Sequence, residues 1–144
     1  MANSVILKSR EGGPLRKEGV TDEAVTPGHL IERGGANDVQ KHSSANGNAL
    51  PAFALENDLV GDDIDDDYAS GETVQYAVFA PGEEVNALLA YGENVSEGAA
   101  LTSAGDGTLH AAAGSDPDRI VGYAAEDKNN TTGGSAVRIA VEVA

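Results

Sequence analysis

Period-two hydrophobic alternation, closely spaced turn pairs and abundant glycine point to an all-β barrel. The C-terminal run SAVRIAVEVA places Val137, Ile139, Val141 and Val143 at alternate positions, the period of two that sends apolar side chains to one face of a sheet. Turn-forming pairs recur at short intervals, at Pro27-Gly28, Gly34-Gly35, Pro81-Gly82, Asp106-Gly107 and Gly133-Gly134, with Asn46-Gly47-Asn48 between them. The 18 glycines in 144 residues suit many short strands better than helices.

Taken in chain order, residues 1–20 read as an extended arm, because Gly12, Gly13 and Pro14 interrupt any periodicity. The barrel domain is expected over 21–144. Its weaker strands are HLIER at 29–33, DVQKH at 38–42, ALPAFALE at 49–56, TLHAAA at 108–113 and RIVGYAAE at 119–126. Stronger alternation marks ETVQYAVF at 72–79, with Val74, Tyr76 and Val78 on one face. EVNALLAY at 84–91 alternates through Val85, Ala87, Leu89 and Tyr91, although the extra Leu88 leaves a short helix open. With two Phe, one Met and no Trp, the core must be built from Val, Leu, Ile and Ala.

Charge divides the chain more sharply than hydropathy does. Residues 1–41 balance six acids with six bases and residues 119–144 three with three, so the whole formal charge of −15 belongs to the middle. From His42 to Asp118 there are 15 acids and no Lys or Arg, and eight of the acids fall in the loop at 56–72, ENDLVGDDIDDDYASGE. Phosphate binding needs a basic surface, so nucleic acid is not expected as a partner. Self-repulsion on this scale is eased by salt, which points to a salt-rich, halophilic source and to a hydrated acidic loop.

Chemistry-bearing motifs are few. Asp63, Asp65 and Asp67 alternate as in a calcium loop, but the sixth and twelfth positions hold Tyr68 and Val74 where an EF-hand needs Gly and Glu. They are weak metal candidates, and no cofactor is expected. His29, His42 and His110 lack ligand spacing, no nucleophile elbow or phosphate loop occurs, and an enzyme is not expected. No apolar run reaches the ~20 residues of a membrane span, the N-terminus lacks signal-peptide features, and cysteine is absent. Asn94, Asn129 and Asn130 lie in glycosylation sequons, taken as markers of surface loops.

The stretch from Tyr68 to Val143 resembles the capsid decoration, or cement, proteins of tailed viruses. The matching positions are Gly71, Glu72 and Val74; the Pro81-Gly82 turn; Val95, Gly98 and Leu101; Gly105-Asp106-Gly107; Ile120, Val121, Gly122 and Ala124; and Val137, Ile139 and Val141. The resemblance implies a β-barrel or β-tulip fold, homotrimers on the outer surface of an icosahedral shell, a major capsid protein as partner, and no enzymatic activity. Together with the acidity it suggests a virus of a halophilic archaeon or a marine host. On that view the neutral arm docks on the shell through Val5, Ile6, Leu7 and Leu15 as apolar anchors, while Lys8, Arg10, Arg16 and Lys17 offset repulsion from an acidic capsid. A carbohydrate- or surface-binding β module of a spike, fibre or envelope is the alternative. A small trimeric β enzyme would need a polar cluster in a subunit cleft.

Overall fold

The computed structural model describes residues 4–34, 37–113 and 119–144. The first three residues of the expected arm, Gly35 of the Gly34-Gly35 pair and the acids Asp116 and Asp118 lie outside the described residues. Among the described residues the chain forms strands β1 (Ile6–Lys8), β2 (Leu15–Val20), β3 (Ile31–Arg33), β4 (Val39–Lys41), β5 (Ala52–Ala54), β6 (Thr73–Val78), β7 (Glu84–Leu89), β8 (Asn94–Val95), β9 (Ala100–Ser103), β10 (Leu109–Ala111), β11 (Gly122–Ala124), β12 (Lys128–Asn129) and β13 (Val137–Val143). A 3-10 turn, Asp58–Val60, lies between β5 and β6. The fold is all-β, as the alternation requires.

The two strands with the clearest alternation build the barrel wall. β13 runs antiparallel to β7 from Val137↔Leu89 to Glu142↔Glu84, and this register puts Val85, Ala87, Leu89, Ile139 and Val141 inside. The helical option for 84–91 is therefore set aside: Leu88 faces outward from a regular strand. Each further pairing carries the sheet around, β13 to β11, β11 to β9, β9 to β10, and β10 back to β7 through the parallel pair Leu109↔Leu89. The result is a closed five-stranded barrel, which removes the free edges an open sheet would expose. At Gly122 the β11 backbone comes so close to β13 that an added Cβ would stand 2.5 Å from the Glu142 carbonyl oxygen. Only glycine fits there.

A second sheet, β2-β6-β5, packs beside the barrel and has apolar residues on both faces. Phe53 and Ala77, with Phe79 just beyond β6, point into the barrel-side core, and the two phenylalanines meet edge to face at 5.8 Å. Ala52, Ala54, Val74 and Tyr76 point the other way, onto a smaller core closed by Val25, Ile31, Val39 and Tyr68. The β3–β4 hairpin supplies Ile31 and Val39 to that second core. Period-two alternation thus divides one strand's side chains between two cores, where the sequence pointed to one apolar face.

The N-terminal segment departs from the expected arm. β1 pairs with β7 through Ile6↔Val85, and β2 pairs with β6 along its whole length from Leu15↔Val78 to Val20↔Thr73. Val5 is fully buried, its N–H donates to Glu56 and its carbonyl accepts from Asn86. Gly12 and Gly13, both at positive φ, form the turn between the strands, closed by Gly13 N–H to the Arg10 carbonyl at 2.9 Å. The residues that looked like a break in structure are a connection between two sheets.

Candidate docking surface

The N-terminal candidates separate by environment. Val5 belongs to the core and is not available for docking; Ile6 and Leu7 are half-buried on β1. Lys8 and Arg10 are exposed and reach Glu84 and Glu83, at 3.3 and 3.9 Å. On β2 the residues Leu15, Arg16, Lys17 and Glu18 are all exposed, because this strand forms the edge of its sheet. Leu15 sits opposite Val78 and Lys17 opposite Tyr76, so both project to the face of the second core, while Arg16, opposite Ala77, projects to the other.

That face carries an apolar groove of about 140 Å³, where the β3–β4 hairpin stops short of covering the sheet. Ile31, Val39, Ala52, Tyr76 and Val78 line it, and Leu50, 58% exposed, stands at its mouth. Lys17 and Arg33 stand on its rim with Glu32. Glu32 is already engaged by Gln40 Nε2 at 2.6 Å and Ser43 Oγ at 2.7 Å. Burial raises its pKa, but those hydrogen bonds and the neighbouring His42 outweigh this, and the carboxyl ends below its ordinary 4.5. His42 itself is buried, with Nδ1 facing Ser103 Oγ at 2.7 Å and Nε2 facing the Asn48 carbonyl at 2.9 Å.

A wider groove of about 790 Å³ runs over the outer face of β7 and β13. Leu7, Asn86, Leu88 and Ala140 form its floor, with Asp65, Glu126, Lys128 and Arg138 around it. Arg138 ties this wall to the acidic loop: its guanidinium donates to the Pro27 carbonyl and, at 2.7 Å, to the Ile64 carbonyl. Burial lowers its pKa, opposed by Asp65, Glu56 and Asp67.

The acidic loop is held more firmly than a solvated loop requires. Ile64 is buried in the barrel-side core and Tyr68 in the second core, where its hydroxyl donates to the Leu55 carbonyl at 2.7 Å. Burial pushes the Tyr68 phenol up to about 12. Asp63, Asp65 and Asp67 are exposed. The Asp63 carboxylate accepts the Asp65 N–H at 2.9 Å, and Asp66 accepts the Asp63 N–H at 2.9 Å. Among the described residues no three His, Asp or Glu are grouped to hold a metal ion.

Glu56 at the start of this loop and several acids outside it perform a role that composition does not reveal. Glu56 accepts the Val5 N–H, Glu83 those of Ala80 and Arg10, Glu23 that of Lys41, Glu93 that of Ala111, Asp127 that of Glu97 and Glu126 that of Ala140. Each satisfies a main-chain donor that no strand partner takes, and several join segments distant in sequence. Of the sequon residues, Asn94 and Asn129 are exposed on β8 and β12, whereas Asn130 is buried. The Asn130 amide nitrogen donates to the carbonyls of Leu89, Ala90 and Ser135, so this asparagine is an internal strut, not a surface marker.

Neither a protein-family profile nor a curated protein matches the chain. A solved structure does: the base of head fiber gp8.5 (N base) of bacteriophage phi29 superposes with a TM-score of 0.59, covering 90% of this chain and 93% of that one at 15% identity. The likeness is one of fold, and it spans nearly the full length of both chains.

Proposed function

We propose that this protein is a structural component of a virion, attached to the outside of the head. The observation that carries the proposal is the near full-length likeness of fold to a phage head fiber base. The surface agrees with such a role: rigid strands, a divided charge map and shallow grooves suit a protein that works by contact area. Within this reading the protein decorates the shell as a homotrimer in contact with the major capsid protein. Three-fold attachment would multiply a modest contact through effective concentration.

Docking falls to the exposed cations that the N-terminal strands present, Lys8, Arg10 and Arg16. They lie within the only stretch of the chain before Arg33 that carries bases, and they would meet an acidic shell that the acidic middle of the protein cannot approach. The test adds purified protein to undecorated heads of the source virus and measures occupancy by cryo-electron microscopy. Wild type should saturate regular positions, and a Lys8→Glu/Arg16→Glu variant of unchanged thermal stability should bind at least about tenfold more weakly, more so at low salt. Failure of the wild type to bind heads would overturn the function, and equal occupancy by the variant would overturn the docking assignment alone.

A further inference from the structure

Two apolar features remain uncovered, and they complement each other. The first is the tip of the acidic loop. Leu59 and Val60, 76% and 69% exposed, are the most exposed large apolar residues among those described, and they sit side by side on the 3-10 turn Asp58–Val60. The turn is held in shape by Gly61 in the left-handed region, at φ 83°, and by the Asp62 N–H donating to the Asn57 carbonyl at 3.1 Å. Asp58, Asp62 and Asp63 flank the two residues in the sequence.

The second is the groove between β2 and the β3–β4 hairpin. Its volume of about 140 Å³ is close to the ~150 Å³ that admits a benzene-sized group, enough for one leucyl side chain. Lys17 and Arg33 on its rim have no carboxylate within salt-bridge distance among the described residues, and the rim's only acid, Glu32, is occupied by Gln40 and Ser43. An apolar slot rimmed by unpaired cations fits an apolar tip rimmed by carboxylates.

We infer that the Leu59–Val60 tip of one copy seats in the Ile31–Tyr76–Val78 groove of a second copy. The contact is head to tail, so an open assembly keeps one free tip and one free groove, at its two ends, until a ring closes. The preformed turn lowers the ordering cost, and Asp58 and Asp62 reach the positions that Lys17 and Arg33 leave open. This takes Leu15 and Lys17, on the groove face of β2, into contact between copies and leaves Lys8, Arg10 and Arg16 to the shell. The inference rests on the reading that copies of the protein associate.

Sedimentation velocity over a concentration series in 1 M salt tests it, with two complementary variants at exposed positions. Leu59→Ser/Val60→Ser removes the tip, and Lys17→Glu/Leu50→Asp makes the groove mouth acidic. Each alone should sediment as a monomer, with association weakened about a hundredfold. Mixed in equal amounts they should form one-to-one dimers and nothing larger, because one variant retains a groove and the other a tip. Should the groove variant fail to keep the wild-type melting curve, Lys17→Glu alone takes its place. Wild-type association by the tip-less variant, or no dimer in the mixture, overturns the contact while leaving the homo-oligomer standing. A wild type that is monomeric at every concentration overturns both, and the occupancy assay then decides separately whether the protein binds heads.

Discussion

His29 shows how a residue with no motif around it acquires a measurable property. Its Nδ1 accepts the Thr26 N–H at 2.9 Å, which keeps the ring neutral with its proton on Nε2. Burial first, and the nearby Lys41 second, lower its pKa from 6.5 to about 4, while Asp106 and Asp67 pull weakly the other way. The unfolded chain therefore binds a proton near pH 6.5 that the native protein refuses until about pH 4, so stability present above pH 6.5 is lost as pH falls through that window. The contribution is about 3 kcal/mol at most. Urea unfolding of wild type and His29→Asn, whose Oδ1 can still accept the Thr26 N–H, checks it. Wild type should lose about 2–3 kcal/mol more than the variant between pH 6.5 and 4.5, and parallel curves would show that the ring is protonated in the native state.

At the scale of elements, the N-terminal strands are the part of the chain with the most to lose. β1 occupies the edge of β7 ahead of β10, and Val5 fills the barrel-side core. Deleting residues 1–20 would strip β6 of its partner β2 and leave the Glu56 and Glu83 carboxylates without the N–H groups of Val5 and Arg10. A buried Val alone is worth about 1.5–3 kcal/mol, and unmade hydrogen bonds of this kind about 1–3 kcal/mol each, against a total stability of about 5–15 kcal/mol. The truncated protein should therefore lack a cooperative thermal transition by circular dichroism. A sharp transition within a few degrees of wild type would show that the barrel stands without β1 and β2.

For the whole molecule, the question is whether 24 acids against nine bases are a burden or a framework. Many carboxylates are spent on main-chain N–H groups, but the formal charge of −15 still repels itself across a small body. Raising NaCl from 0.1 to 1 M shortens the Debye length from about 10 to about 3 Å, which screens that long-range repulsion far more than it weakens the short-range N–H···carboxylate clamps. The melting temperature at pH 7 should rise by several degrees over this range. A flat or falling curve would mean that the clamps, with the cation Arg138 set against Asp65 and Asp67, already neutralise the field where it matters.

Fold class, the strongest strands and the charge map could be read from residue order alone, because these are local properties. Alternation through Val137, Ile139, Val141 and Val143 can be satisfied only by a strand with one buried face, whatever it pairs with. The remainder depended on how distant segments pack. β2 reads LRKEGV, with no alternation to find, since an edge strand held by backbone hydrogen bonds exposes its side chains on both faces. Glu56 and Val5, or Glu83 and Arg10, meet across 51 and 73 residues, so their charges looked like solvation until folding brought them to main-chain donors. The groove beside Tyr76 and the tip at Leu59 and Val60 are likewise invisible in one dimension. A pocket is the place where two elements fail to cover each other, and that is a property of their packing and not of either sequence.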